Sequence, residues 1–334
     1  MKVLVGTASW SDKSLLASKK FYPRSATTPE ARLRYYATQF PLVEVDTSYY
    51  AIPLPATTQA WVDRTPAHFT LNIKAFRLFT GHATSRAVLP PDLREGLPDN
   101  GRPTFYLRDA PVDLRDALWL RFKQALEPMR VAGKLGMVHF QFAPWVLRNR
   151  AGLAHVAACV EAMEDYTVSV EFRHQTWFSE EHLAATLAFE RELKVVHTVV
   201  DAPHEFANSV PPVWESTHMR YSLVRLHGRN RETWNIKDAK VASERFNYDY
   251  TPDELLEIGT RVERLAPETF TTHVIFNNNM EDQGQRNAAT LMQLLEAERR
   301  ARVPRLVRRH VEAPEALELE AEQQTLVAEG EWVF

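Results

Sequence analysis

The sequence holds a single cysteine, Cys159, so no internal disulfide can form and a reducing compartment is expected. Glycine is scarce, at 11 of 334 residues, and no G-x-G-x-x-G or phosphate-cradling P-loop follows any apolar segment. That argues against a dinucleotide-binding fold. Uninterrupted apolar runs are short, well under the roughly 18 residues that a membrane helix needs. The opening Met1-Lys2-Val3-Leu4-Val5-Gly6 turns polar too soon for a secretory signal. A cytoplasmic protein that does not enter a membrane is expected. Charge of one sign is also lacking: the formal net charge is -3, so no global basic surface is present for a polyanion. A local cationic pocket remains open, because net charge does not report its distribution. What is present is 45% apolar and 25% charged residues, the balance of a globular protein with a large core.

Strand-like and helix-like segments alternate. Extended segments are expected at Lys2 to Gly6, Leu42 to Thr47, Phe69 to Lys74, Leu135 to Phe142, Thr167 to Phe172, Lys194 to Asp201, Tyr221 to Leu226 and Thr271 to Phe276. Helices are expected at Thr28 to Gln39, Thr57 to Arg64, Asp113 to Arg130, Gly152 to Met163, Glu180 to Glu192, Pro252 to Leu265 and Gln285 to Ala297. Runs such as Lys194-Val-Val-His-Thr-Val-Val are nearly all apolar, as parallel strands covered by helices are. Eight such units point to a closed (β/α)8 barrel, with an open α/β sheet as the alternative. The barrel is expected over 1–298, followed by a charged C-terminal extension over 299–334. That extension carries arginines between Arg299 and Arg309, then glutamates between Glu312 and Glu331. An insertion, Arg77 to Pro111, follows the third strand, and Ala202 to Arg220 stands where a sixth helix is weak or missing. Both would overhang the mouth of the barrel, where long loops form lids and binding sites.

Polar residues cluster at the ends of the expected strands, which is where such barrels place their sites. Side chains two apart in a strand share a face. Glu44 and Asp46, Glu171 and Arg173, and Arg225 and His227 therefore pair, joined by Lys74, Gln141, Asp201 and Asn277. A buried charge costs several kcal/mol unless paired, so convergence from so many strands points to a site. An interior salt-bridge network, for example Glu44 with Arg225, accounts for the same pattern. Glu44, Asp46, Glu171 and His227 are candidate catalytic groups, a carboxylate acting as general base and His227 as acid or electrophile. Lys74, Arg173, Arg225 and Arg229 are candidates to clamp a phosphate or carboxylate, since the planar guanidinium holds two oxygens at once. Trp10, Tyr49, Gln141, His174 and Asn277 complete the candidate substrate-binding set, with Tyr50, Trp177 and Trp234 as further aromatics. His82, His155, His182, His204 and His218 read as surface or loop residues.

Glu44, Asp46, Glu171, His139 and His227 would be the ligands if a divalent metal were bound. No H-x-E-x-x-H or cysteine pattern is present and the neighbouring cations oppose a metal, so none is assigned, nor any cofactor. The expected partner is a small anionic molecule, possible sugar derivatives included. Nucleic acid is the alternative partner, through the arginine-lined mouth and the loop Gly228-Arg229-Asn230-Arg231-Glu232-Thr233-Trp234.

Several blocks, in order, resemble the YecE-like family, domain of unknown function 72. They are Gly6-Thr7-Ala8-Ser9-Trp10, Glu44-Val45-Asp46-Thr47-Ser48-Tyr49-Tyr50, Phe69-Thr70-Leu71-Asn72-Ile73-Lys74, Val138-His139-Phe140-Gln141-Phe142-Ala143-Pro144, Val170-Glu171-Phe172-Arg173-His174-Gln175-Thr176-Trp177, Val224-Arg225-Leu226-His227-Gly228-Arg229, and Phe276-Asn277-Asn278-Asn279 with Asn287-Ala288. The resemblance spans about residues 3 to 297. It implies a barrel related in shape to sugar isomerases and endonuclease IV, and it supplies no reaction.

Overall fold

The computed structural model describes residues 2–98, 101–238 and 242–312. Eight parallel strands close into a barrel: β1 (Lys2–Ala8), β2 (Leu42–Val45), β3 (Thr70–Lys74), β4 (Leu135–Gln141), β5 (Val168–Glu171), β6 (Val196–Asp201), β7 (Tyr221–Leu226) and β8 (Thr271–Phe276). Their order around the barrel is β1-β8-β7-β6-β5-β4-β3-β2. Closure is by β1, which pairs with β8 from Lys2 opposite Thr271 and with β2 from Gly6 opposite Leu42. This is the (β/α)8 barrel expected from the alternating pattern. No helix among the described residues is long and apolar enough to cross a membrane.

Local chemistry sets where the outer helices begin. Pro29–Gln39 starts at Thr28, whose side chain accepts from the Ala31 N–H, and Pro29 sits where a helical N–H would be unpaired anyway. Pro252–Leu265 starts on a reciprocal cap between Thr251 and Glu254. Asn149 accepts from the Gly152 N–H and starts Arg150–Glu161. The strands and helices are tied by aromatic layers between barrel and ring. Phe79 stacks on Trp119 at 3.7 Å between centroids, and Phe172 on Trp177 at 3.7 Å. Such pairs add about 0.5–1.5 kcal/mol beyond the area they bury. Trp177 is thus core packing, and so is Cys159, whose thiol burial pushes up to about 12.

The inside of the barrel changes character along its axis. Leu4, Leu42, Met137, Val196, Leu223 and Ile275 form a buried apolar plug. Two residues further along four of these strands stand Glu44, His139, Arg225 and Asn277, all buried. A two-residue step is roughly 6.6 Å of strand, so the plug is capped by a polar layer toward the C-terminal mouth.

The insertion after β3 forms a two-stranded antiparallel pair, Thr84–Ser85 with Thr104–Phe105, and a short helix, Pro91–Glu95. No helix lies between β6 and β7, as the sequence suggested. The last helix runs Gln283–Glu312, through residue 299, where the extension was expected to begin. Residues 313–334 of that extension lie outside the described residues.

Candidate functional site

The polar layer is built around Arg225, which is 0% exposed. Its Nη2 donates to Glu44 Oε1 at 2.6 Å, and its Nη1 donates to Glu171 Oε2 and, at 3.3 Å, to Gln141 Oε1. Burial alone would weaken this charge, but Glu171 and then Glu44 hold the guanidinium above its ordinary range. Glu171 takes a second cation, since Arg173 Nη1 donates to its Oε1 at 2.6 Å. Burial would raise the Glu171 carboxyl, yet Arg225, His227 and Arg173 together hold it well below the usual carboxylate range. An ionised, doubly clamped carboxylate is a weak proton acceptor. Glu171 therefore acts as a hub that positions Arg173.

His227 extends the chain. Asn277 Nδ2 lies 2.8 Å from its Nδ1, and its Nε2 sits 3.4 Å from both Arg173 Nη1 and Arg225 Nη1. That Nε2 lies 3.3 Å from Glu171 Oε1. Burial drives His227 down to about 3, so it is neutral. His139 is also lowered by burial, with Nδ1 on Ser169 Oγ at 3.0 Å and Nε2 3.5 Å from Glu171. Two carboxylates, two guanidiniums and two neutral imidazoles leave this layer without net charge.

Above it, at the C-terminal mouth, opens a cavity of about 730 Å3. Its lining includes Asp46, Tyr49, Lys74, Gln141, Arg173 and Asn277 from the expected set. Lys74 Nζ stands 3.5 Å from Asp46 Oδ1, and that oxygen has no hydrogen bond among the described residues. Lys74 also lies over the Tyr49 ring at 4.7 Å, and burial pushes the Tyr49 phenol up to about 12. The Arg173 guanidinium lies 5.0 Å over the ring of Trp234, which is itself buried. Of the four catalytic candidates, Asp46 lines this cavity; Glu44, Glu171 and His227 lie beneath it with Arg225, each at most 1% exposed.

Several candidates point elsewhere. Arg229 is held by Asp201 through both oxygens and by Glu254, on the outer side of β6 and β7. His174 caps a short turn, accepting from the Thr176 N–H at 3.2 Å. Trp10 packs edge-on against Trp61 in the core. The features that suggested nucleic acid in the loop after β7 are likewise engaged: Arg229 as above, Arg231 with Glu205, and Trp234 under Arg173. Among the described residues no three His, Cys, Asp or Glu side chains are grouped to hold a metal ion, and Arg225 occupies the centre of the set named for it. His82 stands in a loop but not at the surface: it is buried, bonded to Thr80 through Nδ1 at 3.0 Å and edge-on to Tyr49 and Trp145. Burial and the nearby Arg77 and Lys74 lower it to about 4.

The cavity also gathers residues that strand patterning did not mark: Ser9, Ser11 and Asp12 after β1, Arg245 and Phe246 after β7, and Asn279 after β8. Arg245 lies about twenty residues past the end of its strand, at a distance no two-residue alternation can reach. Among the described residues its guanidinium meets no carboxylate. Burial and the charge of Arg173 lower its pKa, as expected for a cation facing another cation.

Comparison with known proteins agrees with this architecture. The family described as protein of unknown function DUF72 matches residues 4–311. The UPF0759 protein YunF of Bacillus subtilis (strain 168) is 30% identical over 305 residues, 91% of this chain and 98% of that protein. A crystal structure of a DUF72 family protein from Thermotoga maritima MSB8 superposes with a TM-score of 0.69 at 26% identity, covering 89% of this chain and 100% of that one. A second, from Enterococcus faecalis V583, gives a TM-score of 0.70 at 24% identity over 88% and 95% of the two chains. The block-by-block likeness, the match over nearly the whole length and the shared barrel agree: this chain is a member of the DUF72 family.

Proposed function

We propose that the barrel mouth binds a small anionic substrate, phosphorylated or carboxylated, and carries out proton-transfer chemistry on it. One observation supports this above all: Lys74, Arg173 and Arg245, from three separate strand ends, meet in one cavity beside Asp46. Arg245 meets no carboxylate among the described residues and Lys74 faces only Asp46, at 3.5 Å, so the three cations bring more charge to this part of the cavity than Asp46 offsets. Arg173 is oriented by Glu171 on one side and by Trp234 beneath, which presents a fixed guanidinium to the opening. Asp46, which lines the cavity and faces Lys74 through Oδ1, is the carboxylate we assign to accept a proton from the ligand. The Tyr49 phenol, raised to about 12, stays protonated at neutral pH and can donate.

The test is calorimetric titration of the full chain at low salt with inorganic phosphate and with small carboxylates. Binding in the micromolar to millimolar range is expected. Arg245→Gln should weaken it about tenfold or more, equivalent to roughly 1.4 kcal/mol, with the unfolding midpoint unchanged. Asp46→Asn should keep binding and lose exchange of substrate C–H for solvent deuterium. Binding that is absent, or equal in wild type and Arg245→Gln, would sink the reading.

A further inference from the structure

The cavity has two chemically different ends, and they are set by the strand order. β1 and β8 are neighbours, and β5 lies across the barrel from β1. Ser9, Ser11, Asp12 and Lys13 follow β1, and Asn277 and Asn279 follow β8. Lys74, Gln141 and Arg173 come from β3, β4 and β5. With Arg245, the β3–β5 side carries three cations. Asp46 stands among these cations, 3.5 Å from Lys74, and the β1–β8 side carries Asp12 and Lys13, without net charge, among hydroxyls and amides.

We infer that the ligand is a monophosphorylated polyol or sugar, its phosphate against Lys74, Arg173 and Arg245 and its hydroxyls against Asp12, Asn277 and Asn279. This rests on the anion-binding reading above and deepens it. A second anionic group at the far end would meet Asp12 with only Lys13 to offset it, so a dicarboxylate gains nothing there. A hydroxylated carbon chain fits well, because each hydroxyl is both donor and acceptor.

The far end is built for that purpose. Ser14 Oγ accepts from the Glu281 N–H at 3.0 Å and lies 2.9 Å from the Asn279 main-chain oxygen, which holds this turn, while the Asn279 side-chain Oδ1 is shielded from water and has no hydrogen bond among the described residues. Asp12 commits Oδ1 to the Ser14 N–H at 2.8 Å and hydroxyl at 2.6 Å, which orients the carboxylate without using its second oxygen. Ser9 is held at φ 72, the left-handed region that non-glycine residues avoid at a cost of roughly 1–2 kcal/mol. Its N–H donates to Glu44 O at 2.8 Å and its own oxygen accepts from Thr7 Oγ1 at 3.0 Å. Strain kept at a cavity wall is a mark of a position fixed for function. Tyr49, Tyr50 and Phe246 add apolar surface to the cavity lining for the C–H side of such a chain. The volume, about 730 Å3, is that of a small-molecule site.

The experiment compares inorganic phosphate with glycerol phosphate, pentose 5-phosphates and hexose 6-phosphates, each beside its unphosphorylated parent, and with succinate. A phosphorylated polyol is expected to bind at least tenfold tighter than inorganic phosphate. Asn279→Ala and, separately, Asp12→Asn (which keeps the cap on Ser14) should remove most of that gain and leave inorganic phosphate within about twofold. If no phosphorylated polyol exceeds phosphate, if succinate exceeds them all, or if both variants weaken phosphate and polyol phosphate alike, this inference fails while the anion site stands. If phosphate itself does not bind, both readings fail together.

Discussion

Arg225 and Glu44 meet inside the barrel, Nη2 to Oε1 at 2.6 Å, although their strands β7 and β2 share no hydrogen bonds. The pair is a cross-brace through the barrel interior, and both residues are 0% exposed. With no water to solvate either group, each charge depends on the other.

Removing one partner should therefore cost far more than removing both. Arg225→Met leaves Glu44 and part of Glu171 uncompensated, and a loss of about 3–5 kcal/mol is expected. Glu171 retains Arg173, so Glu44→Gln with Arg225→Met should recover a good part of the loss. Urea unfolding of the two single variants and the double gives the coupling energy. A coupling under about 0.5 kcal/mol would mean that the brace does not stabilise the fold.

The same pair shows what the sequence could carry. The mainly apolar runs of Tyr221–Leu226 and Thr271–Phe276 mark β7 and β8 to the residue, because strands covered by helices bury both faces, even though Arg225 and His273 interrupt them. Alternation also set Glu44 with Asp46 and Glu171 with Arg173 on inward faces. It could not tell depth. One step along the strand separates a sealed layer holding Glu44 and Glu171 from a cavity wall holding Asp46 and Arg173. Nor could it find Arg245, whose position follows from how the long loop after β7 folds back over the mouth. Arg229 misled for the complementary reason: its partner Glu254 arrives from a helix start that only the folded chain brings near.

The pH dependence of stability follows from buried neutral histidines. His82 is lowered to about 4, and His227 and His273 to about 3, all mainly by burial. Their unfolded value is 6.5, so between pH 6.5 and 4 the unfolded chain binds more protons than the native one. Stability must then fall as pH falls through that window, by up to about 1.4 kcal/mol per unit for each such histidine. Glu171 acts in the same direction at lower pH, because its ionised form is the bound one. Urea midpoints at pH 7, 5.5 and 4.5 should decline steeply. His82→Gln should flatten the slope by about one proton, and an unchanged slope would contradict the assignment.

A second buried pair lies outside the site. His197 Nδ1 faces Glu190 Oε2 at 3.0 Å, and its Nε2 faces the Val213 carbonyl at 3.1 Å. Both ring nitrogens look at oxygen atoms, so the ring ties the helix that carries Glu190 to the segment that carries Val213. His197→Leu strands the fully buried Glu190 on its helix and should cost about 3–5 kcal/mol. His197→Leu with Glu190→Leu should cost much less, as read by thermal unfolding. Equal losses in the two variants would show that packing, not charge, governs this position.

Gly228 joins the fold to the site, because it ends β7 and starts the loop that carries Arg245. Its φ is 88, and a Cβ added there would lie 2.4 Å from the Tyr248 Cβ, an atom at the root of its side chain that cannot swing away. Its N–H donates to the Tyr250 hydroxyl at 2.9 Å, and that hydroxyl in turn donates to Asp201 at 2.7 Å. Gly228→Ala thus meets two separate penalties, backbone strain of about 1 kcal/mol and an overlap that must push the loop outward. Gly133→Ala isolates the first, since Gly133 has φ 66 with nothing within 4 Å of its added Cβ. The expected result is a loss near 1 kcal/mol for Gly133→Ala with phosphate affinity intact. Gly228→Ala should lose at least twice that and weaken phosphate severalfold, because Arg245 moves with the loop. If the two variants match in stability and affinity, then the close packing of Gly228 against Tyr248 does not hold Arg245 at the cavity.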